Sequence, residues 1–92
     1  MNSYIQKLLN FLYTYAEELI SDKVISKINI KQISIDFLSN NKKGDIASNF
    51  YLIINKKIID KNYDFEKNFK TKVLNLDFID RFEIFKNGFI NF

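Results

Sequence analysis

The residues best able to do chemistry gather in one stretch, Glu83-Ile84-Phe85-Lys86-Asn87-Gly88-Phe89-Ile90-Asn91-Phe92. Asn-Gly is a strong hairpin signal, because a two-residue type I′ turn needs positive φ at both central positions. Closed at Asn87-Gly88, the hairpin would set Lys86 opposite Phe89, Phe85 opposite Ile90 and Ile84 opposite Asn91. Side chains alternate faces along a strand, so Phe89 and Asn91 would share one face with Lys86. A flat ring, an amide and an ammonium on one face suit an unstacked base and its phosphate. The same aromatic and β-branched residues would also make an ordinary hairpin packed on a core. The spacing alone leaves both readings open.

The rest of the chain must hold that hairpin in place. Ile5, Leu8, Leu9, Leu12, Ala16, Leu19 and Ile20 form a stripe at helical spacing, which predicts a helix from residue 3 to about 21, capped by Asn2 or Ser3. Phe11, Tyr13 and Tyr15 widen its apolar face. Ile28, Ile30, Ile33, Ile35 and Phe37 alternate with polar residues, with a phase break at Lys31-Gln32 that predicts a bulge or a late strand start. Ser39 to Gly44 reads as a loop, in which Lys42 and Lys43 are either solvated or in reach of a nucleic-acid backbone. Asp45 is the expected N-cap of a second helix running to about 57–60, with Ile46, Phe50, Ile53, Ile54 and Ile58 on its apolar stripe and Asn49 bonded back to the preceding loop. Asp64 is the expected cap of a third helix that buries Phe65, Phe69 and Val73. After a break at Asn75-Leu76-Asp77, Phe78 to Phe85 reads as the strand entering the hairpin, with Phe82 and Ile84 on one face. The expectation is one α+β domain over residues 1–92, in two layers, with about three helices on one face of a small, mainly antiparallel sheet.

Composition narrows the function. A chain of 92 residues that is 47% hydrophobic and 16% aromatic can close one core, though with a small stability margin. It has no cysteine and no histidine, so thiolate metal sites, disulfides and the usual general base are missing. Asp60/Asp64 and Asp77/Asp80 lie in lysine-rich, loop-like stretches and read as solvated surface carboxylates, not as an acid–base pair. The chain is therefore not expected to be an enzyme by itself, or to hold a metal or cofactor. No apolar run approaches a membrane span, and Met1-Asn2-Ser3-Tyr4 lacks the features of a signal peptide, so a soluble cytoplasmic protein is expected. The net charge of +3, with Arg81 the single arginine, favours polyanionic partners. The abundance of Lys, Asn, Ile and Phe could also reflect coding bias alone.

Two blocks carry a family resemblance. Gly88-Phe89-Ile90-Asn91-Phe92, preceded by Phe82-Glu83-Ile84, is similar to the Gly-Pro-Gly-Phe-Ile-Asn-Phe segment that closes the N-terminal additional domain of arginyl-tRNA synthetases. Gly44-Asp45-Ile46-Ala47-Ser48-Asn49, after Ile33-Ser34-Ile35-Asp36-Phe37, resembles that family's Gly-Asp block at a similar spacing. The resemblance implies a tRNA-binding domain that contacts the D-loop at the outer corner of tRNA-Arg and works in cis with the rest of the synthetase. It implies that Phe89 stacks on a splayed base, that Asn91 reads its edge and that Lys86 is a nearby contact. Lys86-Asn87-Gly88 stands where the family has Gly-Pro-Gly. The family's adenylation signatures, His-Ile-Gly-His and Lys-Met-Ser-Lys, do not occur in these 92 residues. ATP and arginine would thus bind a separate catalytic domain. Two other functions fit the same residues: a structural or partner-binding domain that braces a catalytic core, and a free-standing RNA-binding module.

Overall fold

The computed structural model describes residues 3–37 and 46–92. The expected cap residues Asn2 and Asp45, and the loop lysines Lys42 and Lys43, lie outside the described residues. Helix α1 spans Ser3–Ser21 and buries Leu8, Leu12, Tyr15, Ala16 and Leu19, the stripe that the sequence spacing predicts. It ends where Lys23 takes a positive φ of 62°. The amide of Val24 then donates to Leu19 O (2.9 Å) and that of Lys23 to Ile20 O (3.0 Å), which satisfies two carbonyls of the last turn. A short 3-10 turn, Ile30–Gln32, falls at the phase break in the isoleucine pattern, and strand β1, Ile35–Phe37, follows it. The late start is the outcome. Ile33 keeps its predicted inward position and is buried.

The structure corrects the second helix. Ile46–Ser48 is a strand, β2, and helix α2 is only Phe50–Asn55. All three residues of β2 are buried, and the strand lies between β1 and β4 inside the sheet. Such a strand shows a continuous buried run with no alternation to mark it. The polar residues after it serve the helix instead. Ser48 Oγ accepts from the amide of Phe50 (3.1 Å). Asn49 occupies the N-cap position without capping: its Oδ1 accepts from the amide of Ser34 (2.8 Å) and its Nδ2 donates to Gln32 O (3.0 Å). This ties the start of α2 to the segment before β1, as expected for Asn49.

Helix α3, Phe65–Leu74, matches its prediction closely. Asp64 caps it, accepting from the amide of Lys67 (3.1 Å), and Phe65, Phe69 and Val73 are buried. Strand β3 is Glu83–Ile84, much shorter than the 78–85 run expected, and β4 is Ile90–Asn91. The four strands form one antiparallel sheet in the order β1-β2-β4-β3. Register sets two rows across it. Ile35, Ser48, Ile90 and Ile84 lie in line on one face, with Asp36, Ala47, Asn91 and Glu83 on the other. The first face joins the core, where Ile46 and Ile90 pack in the same cluster as Leu12, Phe50 and Phe69. At its centre Phe69, fully buried, has Phe11, Tyr15, Phe50, Phe65, Phe82 and Phe92 around it at ring-centroid distances of 5.0–6.3 Å.

Candidate nucleic-acid interface

The hairpin closes one residue away from the expected register. The amide of Gly88 donates to Phe85 O and that of Phe85 to Phe89 O, both at 2.9 Å. The loop is therefore the three residues Lys86-Asn87-Gly88, a turn at Lys86-Asn87 followed by a glycine bulge. Gly88 has φ 91°, whereas Asn87 has no positive φ, so the type I′ geometry does not form. Asn87 Oδ1 instead accepts from the amide of Phe89 (3.1 Å). Helix α2 fixes this choice. Gly88 is buried, its carbonyl accepts from the amide of Leu52 (2.8 Å), and a Cβ on it would lie 2.8 Å from Leu52 Cβ. The amide of Leu52 lies in the first turn of α2 and has no intrahelical acceptor, so the hairpin also satisfies an orphan donor of the helix.

A one-residue slip exchanges the faces of a whole strand. In the observed register Ile84 lies opposite Ile90 and faces the core, which the expected register would have denied it. Phe85, not Lys86, is opposite Phe89, and Glu83, not Ile84, is opposite Asn91. Phe89 and Asn91 do share the face away from the helices, and both are half-buried. Lys86 is exposed in the turn and belongs to neither row. Sequence spacing alone missed three neighbours. Phe85, 38% exposed, adds a second ring to the outward face. Glu83 stands beside Asn91, and Arg81 lines a depression shared with Phe82, Glu83, Asn91 and Phe92. The usable signal was the Lys-Asn-Gly triplet, in which one glycine supplies positive φ for a three-residue loop.

The outward row has a neutral middle and a carboxylate at each end. Asp36 and Glu83 flank the Ala47–Asn91 pair along the row, while Lys86 sits at the turn and Arg81 beyond Glu83. Within the described residues, no hydrogen bond or ion pair engages the side chains of Arg81, Glu83, Lys86 or Asn91. Rings and unengaged polar groups in this order suit a flat, edge-polar ligand with charge at its periphery.

Several other titratable groups serve structure. Asp60 Oδ1 accepts from the amide of Asn62 (3.0 Å), and Asp64 caps α3, so these carboxylates hold turns. Tyr15 and Tyr63 join through their hydroxyls. Burial first, and then the bond to Tyr63, pushes the Tyr15 phenol far above its ordinary value. Burial likewise raises Tyr63, and burial with nearby Asp80 raises Tyr4. Lys72 Nζ pairs with Glu18 (2.6 Å) and lies 5.5 Å from the centre of the Tyr15 ring, linking α3 to α1 at the surface. Among the described residues no group of three potential metal ligands exists, and no helix is long and apolar enough to cross a membrane.

The comparisons speak at the level of the family alone. No curated protein and no solved structure gives a match to the chain. The family described as "Arginyl tRNA synthetase N terminal domain" matches residues 10–92, which take in the sheet, α2, α3 and the whole hairpin. The chain belongs to the family of arginyl-tRNA synthetase N-terminal domains.

Proposed function

We propose that this chain binds tRNA-Arg through the outward face of its β3–β4 hairpin, contacting the D-loop at the outer corner of the tRNA. It would assist arginylation in cis with a cytoplasmic synthetase, whose catalytic domain binds ATP and arginine. One observation carries the reading: Asn91 lies in the sheet row away from the aromatic core, and alternation along the chain puts Phe89, which is outside that core, on the same side. A base stacked on Phe89 would present its edge to Asn91, and Lys86 at the turn would meet the adjoining backbone. Stacking contributes about 1–3 kcal/mol per base, so a single ring is enough for a measurable effect.

Titration of a tRNA-Arg transcript into wild type, Phe89→Ala and Asn91→Ala tests it. Each variant is expected to bind roughly 5- to 100-fold more weakly, with the thermal midpoint little changed. Both variants binding as wild type does, while folded, would refute the assignment. The competing view, a brace for a catalytic core, expects Phe89→Ala to cost about 3–5 kcal/mol of stability and no tRNA affinity.

A further inference from the structure

The chain contains a single Asn-Gly pair, Asn87-Gly88, and such a pair can react with itself. The Gly88 amide nitrogen gives up its proton and attacks Asn87 Cγ. A new C–N bond closes a five-membered imide, and the side-chain nitrogen leaves as ammonia. Water then opens the imide at either carbonyl. Breaking the bond to Cγ yields aspartate. Breaking the bond to the main-chain carbonyl yields isoaspartate, in which the chain runs through the side chain and gains one backbone carbon. Glycine favours the attack because it has no Cβ to hinder the rotation that brings its nitrogen onto Cγ.

The fold opposes each motion this needs. The Gly88 N–H, whose proton must leave, donates to Phe85 O (2.9 Å). Gly88 is buried and its carbonyl accepts from the Leu52 amide (2.8 Å), which anchors the peptide between Asn87 and Gly88 on α2. Asn87 Oδ1 is held by the amide of Phe89 (3.1 Å). The Asn87 side chain is nevertheless exposed, so water reaches it. Local opening costs least where ladders are short, and β3 and β4 have two residues each, with β3 at the edge of the sheet. The two products differ once the hairpin tries to close again. Aspartate keeps an oxygen that accepts from Phe89 and only adds a charge next to Lys86. Isoaspartate lengthens the loop, and Gly88 then cannot meet Phe85 O and also fit against Leu52, where its Cα leaves no room for a methyl group.

We infer that Asn87 is a spontaneous modification site, held back by the docking of Gly88 on α2. Conversion proceeds from the opened hairpin, and the isoaspartyl product keeps it open.

The chain is incubated at neutral pH, and mass spectrometry of its proteolytic fragments follows the one-dalton gain at Asn87 and separates the two products. Wild type is expected to convert at least about tenfold more slowly than a free peptide of residues 82–92. Leu52→Pro deletes the anchoring amide at a first-turn position where α2 does not need it, and should approach the peptide rate. Hydrogen exchange of the Leu52 amide in wild type reads the same opening without a variant, which keeps the test standing if Leu52→Pro does not fold. Across a urea series, conversion should rise in step with that exchange. Asn87→Gln should show no gain, Asn87→Asp should melt as wild type does, and the purified isoaspartyl chain should lose protection at the Leu52 amide. Three results overturn the protection: wild type converting as fast as the peptide, conversion staying flat while Leu52 exchange accelerates, or a folded Leu52→Pro converting as slowly as wild type. A gain that persists in Asn87→Gln overturns the site. An isoaspartyl chain with a protected Leu52 amide, or an Asn87→Asp chain that melts as low as the isoaspartyl one, overturns the difference between the products.

Discussion

The two faces of the sheet use the same residue types for opposite ends. On the helix side, Phe69 is enclosed by six other aromatic rings. There the polar groups are few and engaged, as with Ser48 on the Phe50 amide and Tyr15 on Tyr63. On the other side, Phe85 and Phe89 are at least partly open, and the side chains of Glu83 and Asn91 make no hydrogen bond or ion pair among the described residues. Aromatic content alone therefore does not separate a core from a binding face. What separates them is whether the neighbouring polar groups are already satisfied by the protein.

Substitutions that act on one face should leave the other alone. The largest loss of stability is expected from Phe69→Ala, at about 3–5 kcal/mol by chemical denaturation, since it removes the ring that the others surround. Phe89→Ala should cost far less by the same measurement, and an equal cost would erase the distinction between the faces. Gly88→Ala sharpens the comparison because Gly88 joins the two sides. Positive φ costs about 1–2 kcal/mol for a residue with a Cβ, and the overlap with Leu52 adds to that. Denaturation should show a loss of at least that size, together with weaker tRNA binding as the hairpin leaves α2. The smallest effect is on the pH dependence. The buried Tyr15 phenol keeps its proton to higher pH in the folded protein than in the unfolded chain, where tyrosine titrates near 10. The folded state then binds more protons above that pH, so the contribution of this phenol to stability is constant below about pH 9 and falls as pH rises past 10. The slope approaches ~1.4 kcal/mol per pH unit for each proton so retained. Tyr15→Phe should flatten the slope, and tRNA-face substitutions should not.

How far the sequence could be read depended on how each element shows its burial. Helices α1 and α3 have one buried stripe and one solvated side, so their spacing and the Asp64 cap identify them. Strand β2 is buried throughout and three residues long, and its Ile-Ala-Ser run followed by Phe50 mimics the start of a helix. Strand β3 shrank to Glu83–Ile84 because residues 78–82 wrap the core without a strand partner. That Phe89 and Asn91 fall on one side survives any register, since it needs only two-residue spacing. Their cross-strand neighbours do not, because those depend on loop length. Asn-Gly permits a two-residue loop and Lys-Asn-Gly a three-residue one, and the close approach of Gly88 to Leu52, a tertiary contact, favours the longer.

The most direct test of the outward face is chemical-shift mapping of the isotopically labelled chain during titration with tRNA-Arg at low salt. Shifts should concentrate on Arg81, Glu83, Phe85, Lys86, Phe89 and Asn91, while α1 residues such as Leu8 and Leu12 stay still. Shifts confined to the helix side, for instance around the exposed Leu74 at the end of α3, with the hairpin unmoved, would contradict it.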